Sequence, residues 1–206
     1  MKIESIEVVN DGYINCKSSF YTTCDMINEL VTYHFINGLN TLVGDIDSGV
    51  WGISYLLSMY KYDKNNENKK RIFLPLTITV NHHMVNLEQF WTYSCYMDRI
   101  YPLFASKKTV EHQVLKGIKK NGFKETDDEI RELFHIDKDR FIRPLSCVGN
   151  ELFRCMAAIG YVNMKEVFCF PWLSRIRYNG FHKHMDDLFD ILCSLNKILI
   201  VPLGKE

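Results

Sequence analysis

The chain has 206 residues, a mass of 24.2 kDa, 47% hydrophobic and 24% charged residues, and 25 basic side chains against 25 acidic ones. This much apolar material excludes a disordered polyelectrolyte and is enough for one packed domain. The zero balance argues against gripping nucleic acid by bulk charge, so no nucleic-acid partner is expected.

In chain order, apolar alternation predicts a strand over residues 2–9, followed by a turn at Asn10-Asp11-Gly12. A second β-prone run covers 31–36. Asn37-Gly38 reads as a turn, 39–43 as a buried strand and 44–49 as a loop. Residues 51–62 have helical spacing and run into the solvated stretch 61–70, an expected hairpin loop. Short strands follow at 72–74, 78–80 and 93–97. Asn81-His82-His83 reads as a turn between them, and 87–91 as a short helical or looped link. These strands are grouped with an antiparallel block.

From about residue 107 the pattern is helical. One helix, 109–120, stops at Asn121-Gly122, and Thr126 with Glu129 forms a capping-box signature for the next. A further helix is expected over 150–159, stopping at Gly160. Residues 165–170 and 197–201 read as apolar strands. Between them Met185, Leu188, Phe189, Leu192 and Leu195 mark one helix face. The late strands lack alternation, which fits a parallel sheet covered on both faces. The chain thus reads as α/β with a helical insertion.

The seven cysteines, at 16, 24, 95, 147, 155, 169 and 193, are odd in number and contain no Cys-x-x-Cys pair. They are expected to be free thiols in a reducing compartment. The first residues carry no signal-peptide pattern, and no apolar run approaches the roughly 18–20 residues that span a bilayer. A soluble intracellular protein is therefore expected.

One segment has the layout of a phosphate-binding loop. Strand 39–43 leads into Gly44-Asp45-Ile46-Asp47-Ser48-Gly49-Val50-Trp51, and then a helix. Glycines so placed let backbone N–H groups wrap a phosphate, while a following Lys and Ser/Thr reach the phosphates and Mg²⁺. Here the Lys position is Val50, the hydroxyl position is Trp51, and Asp45 and Asp47 add negative charge. An ordinary turn before a helix explains the same spacing.

Four further segments join this one in a common order. Cys95-Tyr-Met-Asp-Arg-Ile-Tyr-Pro-Leu-Phe104 with Lys108-Thr-Val-Glu111 resembles a Q-loop and the start of a helical subdomain. Leu145-Ser-Cys-Val-Gly-Asn-Glu-Leu-Phe-Arg154 resembles a signature motif. Lys165-Glu-Val-Phe-Cys-Phe-Pro-Trp172 stands in the place of Walker B, and Ile198-Leu-Ile-Val201 in that of the strand before an H-loop. Over nearly its whole length the chain resembles the nucleotide-binding domain of an ABC transporter.

The resemblance implies a P-loop NTPase-like fold in a single domain, 1–206. It would have a mostly parallel sheet flanked by helices, an N-terminal antiparallel β subdomain and a nested helical subdomain over about 98–163. It implies a nucleotide site at Gly44, Asp45, Asp47, Ser48, Gly49, Val50 and Trp51, with Tyr21 where a family aromatic stacks on adenine; an ordinary core or surface tyrosine is the competing reading. It implies a signature-like group of Ser146, Gly149, Asn150 and Glu151, acting on nucleotide held by a partner subunit. The signature aligns either through Leu145-Ser146 or through Gly149-Asn150-Glu151, and Ser146 or Asn150 capping a structural helix is the bland alternative.

The departures bear on chemistry. Asp98 or a neighbour replaces the Q-loop glutamine. Pro171 and Trp172 stand where Walker B has its Asp and Glu, and the H-loop His falls near Pro202 or Leu203. Phosphoryl transfer depends on charge neutralisation around the metal, so this set implies a non-hydrolytic, structural or regulatory pseudo-ATPase. ATP and Mg²⁺ would bind weakly or only through a partner's site. The alternatives are an ABC-type ATPase with an unorthodox or composite site, and a binding module reusing the fold. The implied partners are another ABC-type ATPase subunit and an integral membrane permease, giving a cytoplasmic chain held peripherally at the inner face of the membrane. The aromatic run Phe90, Trp91, Tyr93, Tyr96, Tyr101 and Phe104 is part core and, by the resemblance, part docking surface for the permease. His82-His83 and His182-Lys183-His184 read as solvated loop residues rather than metal ligands.

Overall fold

The structure is a computed structural model that describes residues 2–10, 14–17, 22–25, 31–45, 50–58, 76–99 and 101–205. The expected turn at Asp11-Gly12, the hairpin loop over 61–70 and the strand over 72–74 lie outside these.

The N-terminal strand β1 (Ser5–Asn10) buries Ile6 and Val8 and alternates as its sequence demands. Strands β2 (Ile14–Lys17) and β3 (Thr22–Asp25) pair antiparallel as a separate ribbon. Strand β4 (Val31–Ile36) pairs antiparallel with β1. On its other side β1 pairs with β6 (Leu76–Val80), which turns into β7 (His83–Val85), giving the order β4-β1-β6-β7. Asn81 and His82 make that turn with φ of 47° and 66°. Asn81 Oδ1 accepts from the N–H groups of Glu4 at 2.8 Å and Ser5 at 3.2 Å, which locks the turn to β1. His83 belongs to β7 rather than to the turn.

The second sheet is parallel, in the order β5 (Gly38–Val43), β10 (Ile198–Leu203), β9 (Val167–Cys169), β8 (Ser94–Tyr96). Every residue of β10, β9 and β8 is buried, the physical reason their sequences lack alternation. Two expectations are corrected here. β8 joins the parallel sheet instead of the antiparallel block. β5 is covered on one face only, where Leu42 packs against the core, so Leu39 and Val43 on the other remain 47% and 53% exposed instead of buried.

Helix α1 (Val50–Leu56) ends earlier than the helical spacing suggests. Its last carbonyls are taken by side chains from elsewhere: Trp91 Nε1 donates to Leu56 O at 2.8 Å and Ser94 Oγ to Leu57 O at 2.6 Å. Helix α2 (Leu87–Tyr93) is capped by Asn86, and Lys165 Nζ donates to Thr92 O at its C-terminal end. Helix α3 (Val110–Asn121) runs from the Thr109 cap to a left-handed Gly122, as the sequence predicts. Helix α4 (Asp127–Leu133) has the complete Thr126–Glu129 capping box, and α5 (Lys138–Phe141) follows it.

Helix α6 (Leu152–Val162) runs straight through Gly160. The glycine is no stop signal. A Cβ there would lie 2.8 Å from Phe168 Cε1 and 3.4 Å from Cys95 Sγ, so it is the residue that lets α6 press onto the sheet. The chain leaves α6 at Asn163 and Met164, the latter at φ 59°. Helix α7 (Arg175–Ser194) buries Met185, Leu188, Phe189, Ile191 and Leu192 and delivers the chain to β10. The predicted face held at four of its five positions; Leu195 lies just past the helix, partly buried.

Candidate functional site

In open α/β sheets ligands bind beyond the carboxyl ends of the parallel strands. Here those ends are Gly44 after β5, Gly204 after β10, Phe170 to Leu173 after β9, and Asp98 after β8. The ladder continues past the strands: Gly44 N–H donates to Leu203 O at 2.9 Å, and Gly204 N–H to Leu173 O at 2.9 Å. Cys169 pairs with Ile200, and Leu173 with Leu203. The β9 side therefore uses one more residue than β10 over this stretch, a bulge occupied by Pro171 and Trp172. Pro171 has no N–H for the ladder, and the bulge re-aims the side chain that follows.

That side chain crosses the strand ends. Trp172 Nε1 donates to Gly44 O at 3.1 Å. On the way the indole passes over Gly204, where a Cβ would lie 3.0 Å from Trp172 Cζ2. Asp45, exposed, stands 3.8 Å from Lys205 Nζ. Sequence reasoning placed Trp172 after β9 but missed its reach to Gly44, and it missed Gly204 and Lys205 altogether. The available signal was a lone Pro-Trp after an apolar strand.

Val50 opens α1, half-buried. Trp51 is 2% exposed and meets Tyr55 edge-on at 5.7 Å, and Tyr55 meets Tyr96 in the same way. Ser54 Oγ donates to Phe170 O at 2.6 Å, tying α1 to the end of β9. Asp47, Ser48, Gly49 and Tyr21 lie outside the described residues. Among the described residues near these strand ends, Val50 is a half-buried aliphatic side chain, Trp51 a buried indole, and Pro171 and Trp172 follow β9.

The signature-like residues stand on a different element, at the head of α6. Residues Leu145–Cys147 and Gly149–Glu151 form two 3₁₀ turns, with Gly149 at φ 63°. Ser146, Gly149 and Asn150 are exposed. Leu145 N–H donates to Lys108 O and Ser146 N–H to Ser106 O, which holds this segment against the start of α3. The helix-cap reading fails: α6 has no side-chain cap, because the chain enters it through the 3₁₀ turns. Glu151 instead accepts from the Asp137 N–H at 3.1 Å, next to α5.

The aromatic run is core. Phe90, Trp91, Tyr96, Tyr101 and Phe104 are buried and Tyr93 is partly so, leaving Pro102 and Ala105 exposed. His182 and His184 lie in α7 and not in a loop, on its exposed side. Among the described residues no group of three His, Cys, Asp or Glu side chains is placed to hold a metal ion. Burial pushes the thiols of Cys95 and Cys155 up to about 12 and raises that of Cys169 as well. None of these three is a nucleophile at neutral pH. No helix among the described residues is long and apolar enough to cross a membrane.

No family model matches the sequence, and no curated protein matches it. Solved structures do. A Pyrococcus furiosus protein described as an ABC transporter ATP-binding protein superposes with a TM-score of 0.62 at 14% identity, over 98% of this chain and 92% of that one. CbiO1 from Clostridium perfringens, part of the ABC transporter complex CbiONQ, gives 0.57 at 13% identity over 100% and 80%. An ATP-binding cassette of an ABC transporter, solved in its ADP conformation, gives 0.60 at 11% identity over 98% and 82%. The parallel sheet with its neighbouring antiparallel sheet and intervening helices is thus the fold of an ABC transporter ATP-binding domain.

Proposed function

We propose that the chain is an ABC-transporter-like subunit that does not itself hydrolyse ATP. In this reading it serves as a structural or regulatory partner of an active ATPase, a membrane permease, or both. The observation that carries the reading is Trp172 bonded to Gly44 across the strand ends, where a hydrolytic site of this fold needs charge and open space. The nested helical subdomain over about 98–163, a peripheral position on the cytoplasmic side of a membrane, and pairing with a second ATPase subunit belong to the same proposal. CbiO1 being part of a transporter complex supports the partner half of it. The test is purified protein with Mg-ATP. Absence of turnover above a buffer control is the expected result; turnover abolished by Asp45→Ala or Val50→Asp overturns the reading.

A second reading is favoured by the exposure of Ser146, Gly149 and Asn150, which leaves them open to a nucleotide held by another subunit. It predicts that Ser146→Ala or Asn150→Ala slows hydrolysis by a reconstituted partner. Unchanged rates with both variants remove it.

A further inference from the structure

We infer that the amino end of the parallel sheet carries a binding site for a free α-amino acid with an apolar side chain. Glu166 and Lys197 stand one residue before β9 and β10, the strands whose carboxyl ends lead to Trp172 and Gly204. The length of β10 puts about 20 Å between the two ends. The cavity at the amino end has a volume of about 380 Å³, in the lower part of the range for small-molecule sites. Two helix ends build it. α3 stops at the left-handed Gly122, and Phe123 N–H folds back to donate to Ile118 O at 3.2 Å. α6 stops at Asn163, and Met164 turns away at φ 59°. Phe123 and Tyr161 meet edge-on at 5.3 Å and line the cavity together with Met164.

Lys197 Nζ donates to Glu166 Oε1 at 2.8 Å and lies 5.7 Å from the centre of the Tyr161 ring. The two charged side chains are 11% and 12% exposed. An ion pair this far removed from water is costly unless its remaining protons and lone pairs find partners. The fold leaves them unspent. Among the described residues Lys197 Nζ has no second acceptor, Glu166 Oε2 has no donor and the Tyr161 hydroxyl has no hydrogen-bond partner, and all three side chains line the cavity. Burial, and then the charges of Glu125 and Glu166, raise the Tyr161 pKa, so its hydroxyl is a donor at neutral pH.

These unspent groups are of both signs and adjacent. A lone cation gains Glu166 but is repelled by Lys197, and a lone anion meets the reverse. An α-amino acid carries its ammonium and its carboxylate on one carbon. It sets the ammonium on Glu166 Oε2 and the carboxylate on Lys197 Nζ and the Tyr161 hydroxyl. Its side chain then lies against Phe123 and Met164, where an apolar group is favoured. Lys124 and Glu125, both exposed and lining the same cavity, add no net charge at the mouth.

The inference does not rest on the nucleotide reading, since no residue of the strand-end site takes part. The test is isothermal titration calorimetry of the full chain with L-phenylalanine and L-leucine. Saturable one-site binding is expected. Phenethylamine and 3-phenylpropanoate, each with one of the two charges, are expected to bind about tenfold more weakly or worse. Tyr161→Phe removes one donor and keeps the ring, and should weaken binding by about threefold to tenfold with an unchanged far-ultraviolet circular dichroism spectrum. Glu166→Gln/Lys197→Gln removes both charges without stranding either and should abolish binding; if that variant does not fold, Tyr161→Phe decides. Absence of saturable heat with both amino acids, equal affinity for a singly charged analogue, or undiminished affinity in Tyr161→Phe overturns the proposal.

Discussion

The indole N–H of Trp172 and the carbonyl of Gly44 are hydrogen-bonded at 3.1 Å, although 128 residues separate them in sequence. The bond ties the bulge after β9 to the end of β5, across the end of β10. Trp172→Phe keeps the ring and removes the donor, so it should cost about 1 kcal/mol in urea unfolding. Trp172→Ala also removes the packing over Gly204 and should cost about 2–3 kcal/mol. Neither variant should gain ATP turnover, because Val50 and Trp51 are unchanged.

Two glycines in helices should respond in opposite directions to alanine. Gly160→Ala places a methyl 2.8 Å from Phe168 in a fully packed layer and should destabilise by about 1–3 kcal/mol despite alanine's better helix propensity. Gly180, in α7, has nothing within 4 Å of its would-be Cβ, so Gly180→Ala should stabilise by up to about 1 kcal/mol. Thermal or urea unfolding of the pair reads both signs.

The thiols should separate by burial. Cys147 is exposed, whereas Cys95, Cys155 and Cys169 are buried. With a thiol reagent at pH 8 the folded protein should label at Cys147 far faster than at those three, which should react only on unfolding, as followed by mass spectrometry.

The same burial sets an alkaline dependence. The folded-state pKa values of Cys95 and Cys155, about 12, lie above the unfolded value of roughly 8.5. Between those limits the unfolded state holds fewer protons, so these groups lower stability as pH rises above about 8.5. Lys165, whose pKa is lowered chiefly by burial, acts with the opposite sign below its unfolded value. Cys155→Ala should therefore flatten the alkaline loss of stability, measured as urea midpoints between pH 8 and pH 10.

At the acid side, hydrogen bonds from the Thr126 N–H and hydroxyl hold the Glu129 carboxyl below its usual range. Its contribution is present above the unfolded pKa and is lost as pH falls through the folded one. Thr126→Val should raise the Glu129 pKa toward the ordinary value, as read by a carboxyl-carbon NMR titration.

Local chemistry was legible in the sequence, and long-range placement was not. Thr109, Thr126 and Gly122 mark helix ends because caps are satisfied within a few residues of themselves. The apolar run at 198–201 announces burial on both faces, but nothing local says that it inserts between β5 and β9. Gly160 reads as a stop because its reason, Phe168, sits on another element. At the candidate site, the identities of Val50 and Trp51 are local facts of the sequence, whereas the bridge from Trp172 to Gly44 depends on a bulge visible only once β9 and β10 are paired. Ser146 and Asn150 are exposed on 3₁₀ turns, and the alternative reading of them as helix caps was not legible as wrong because those turns form only once the chain is folded.

The position of β10 bears on how the chain is made. Asn40 of β5 donates to Leu199 of β10, a residue 159 positions later. During synthesis both β5 and β9 leave the ribosome before the strand that joins them. Until it arrives, each exposes an unpaired backbone edge, and the sheet cannot close. Contacts of such separation fold slowly and leave edges open to pairing with other chains. A nascent chain stalled before Ile198 should therefore be protease-sensitive and chaperone-bound, and become resistant only when β10 is released from the exit tunnel.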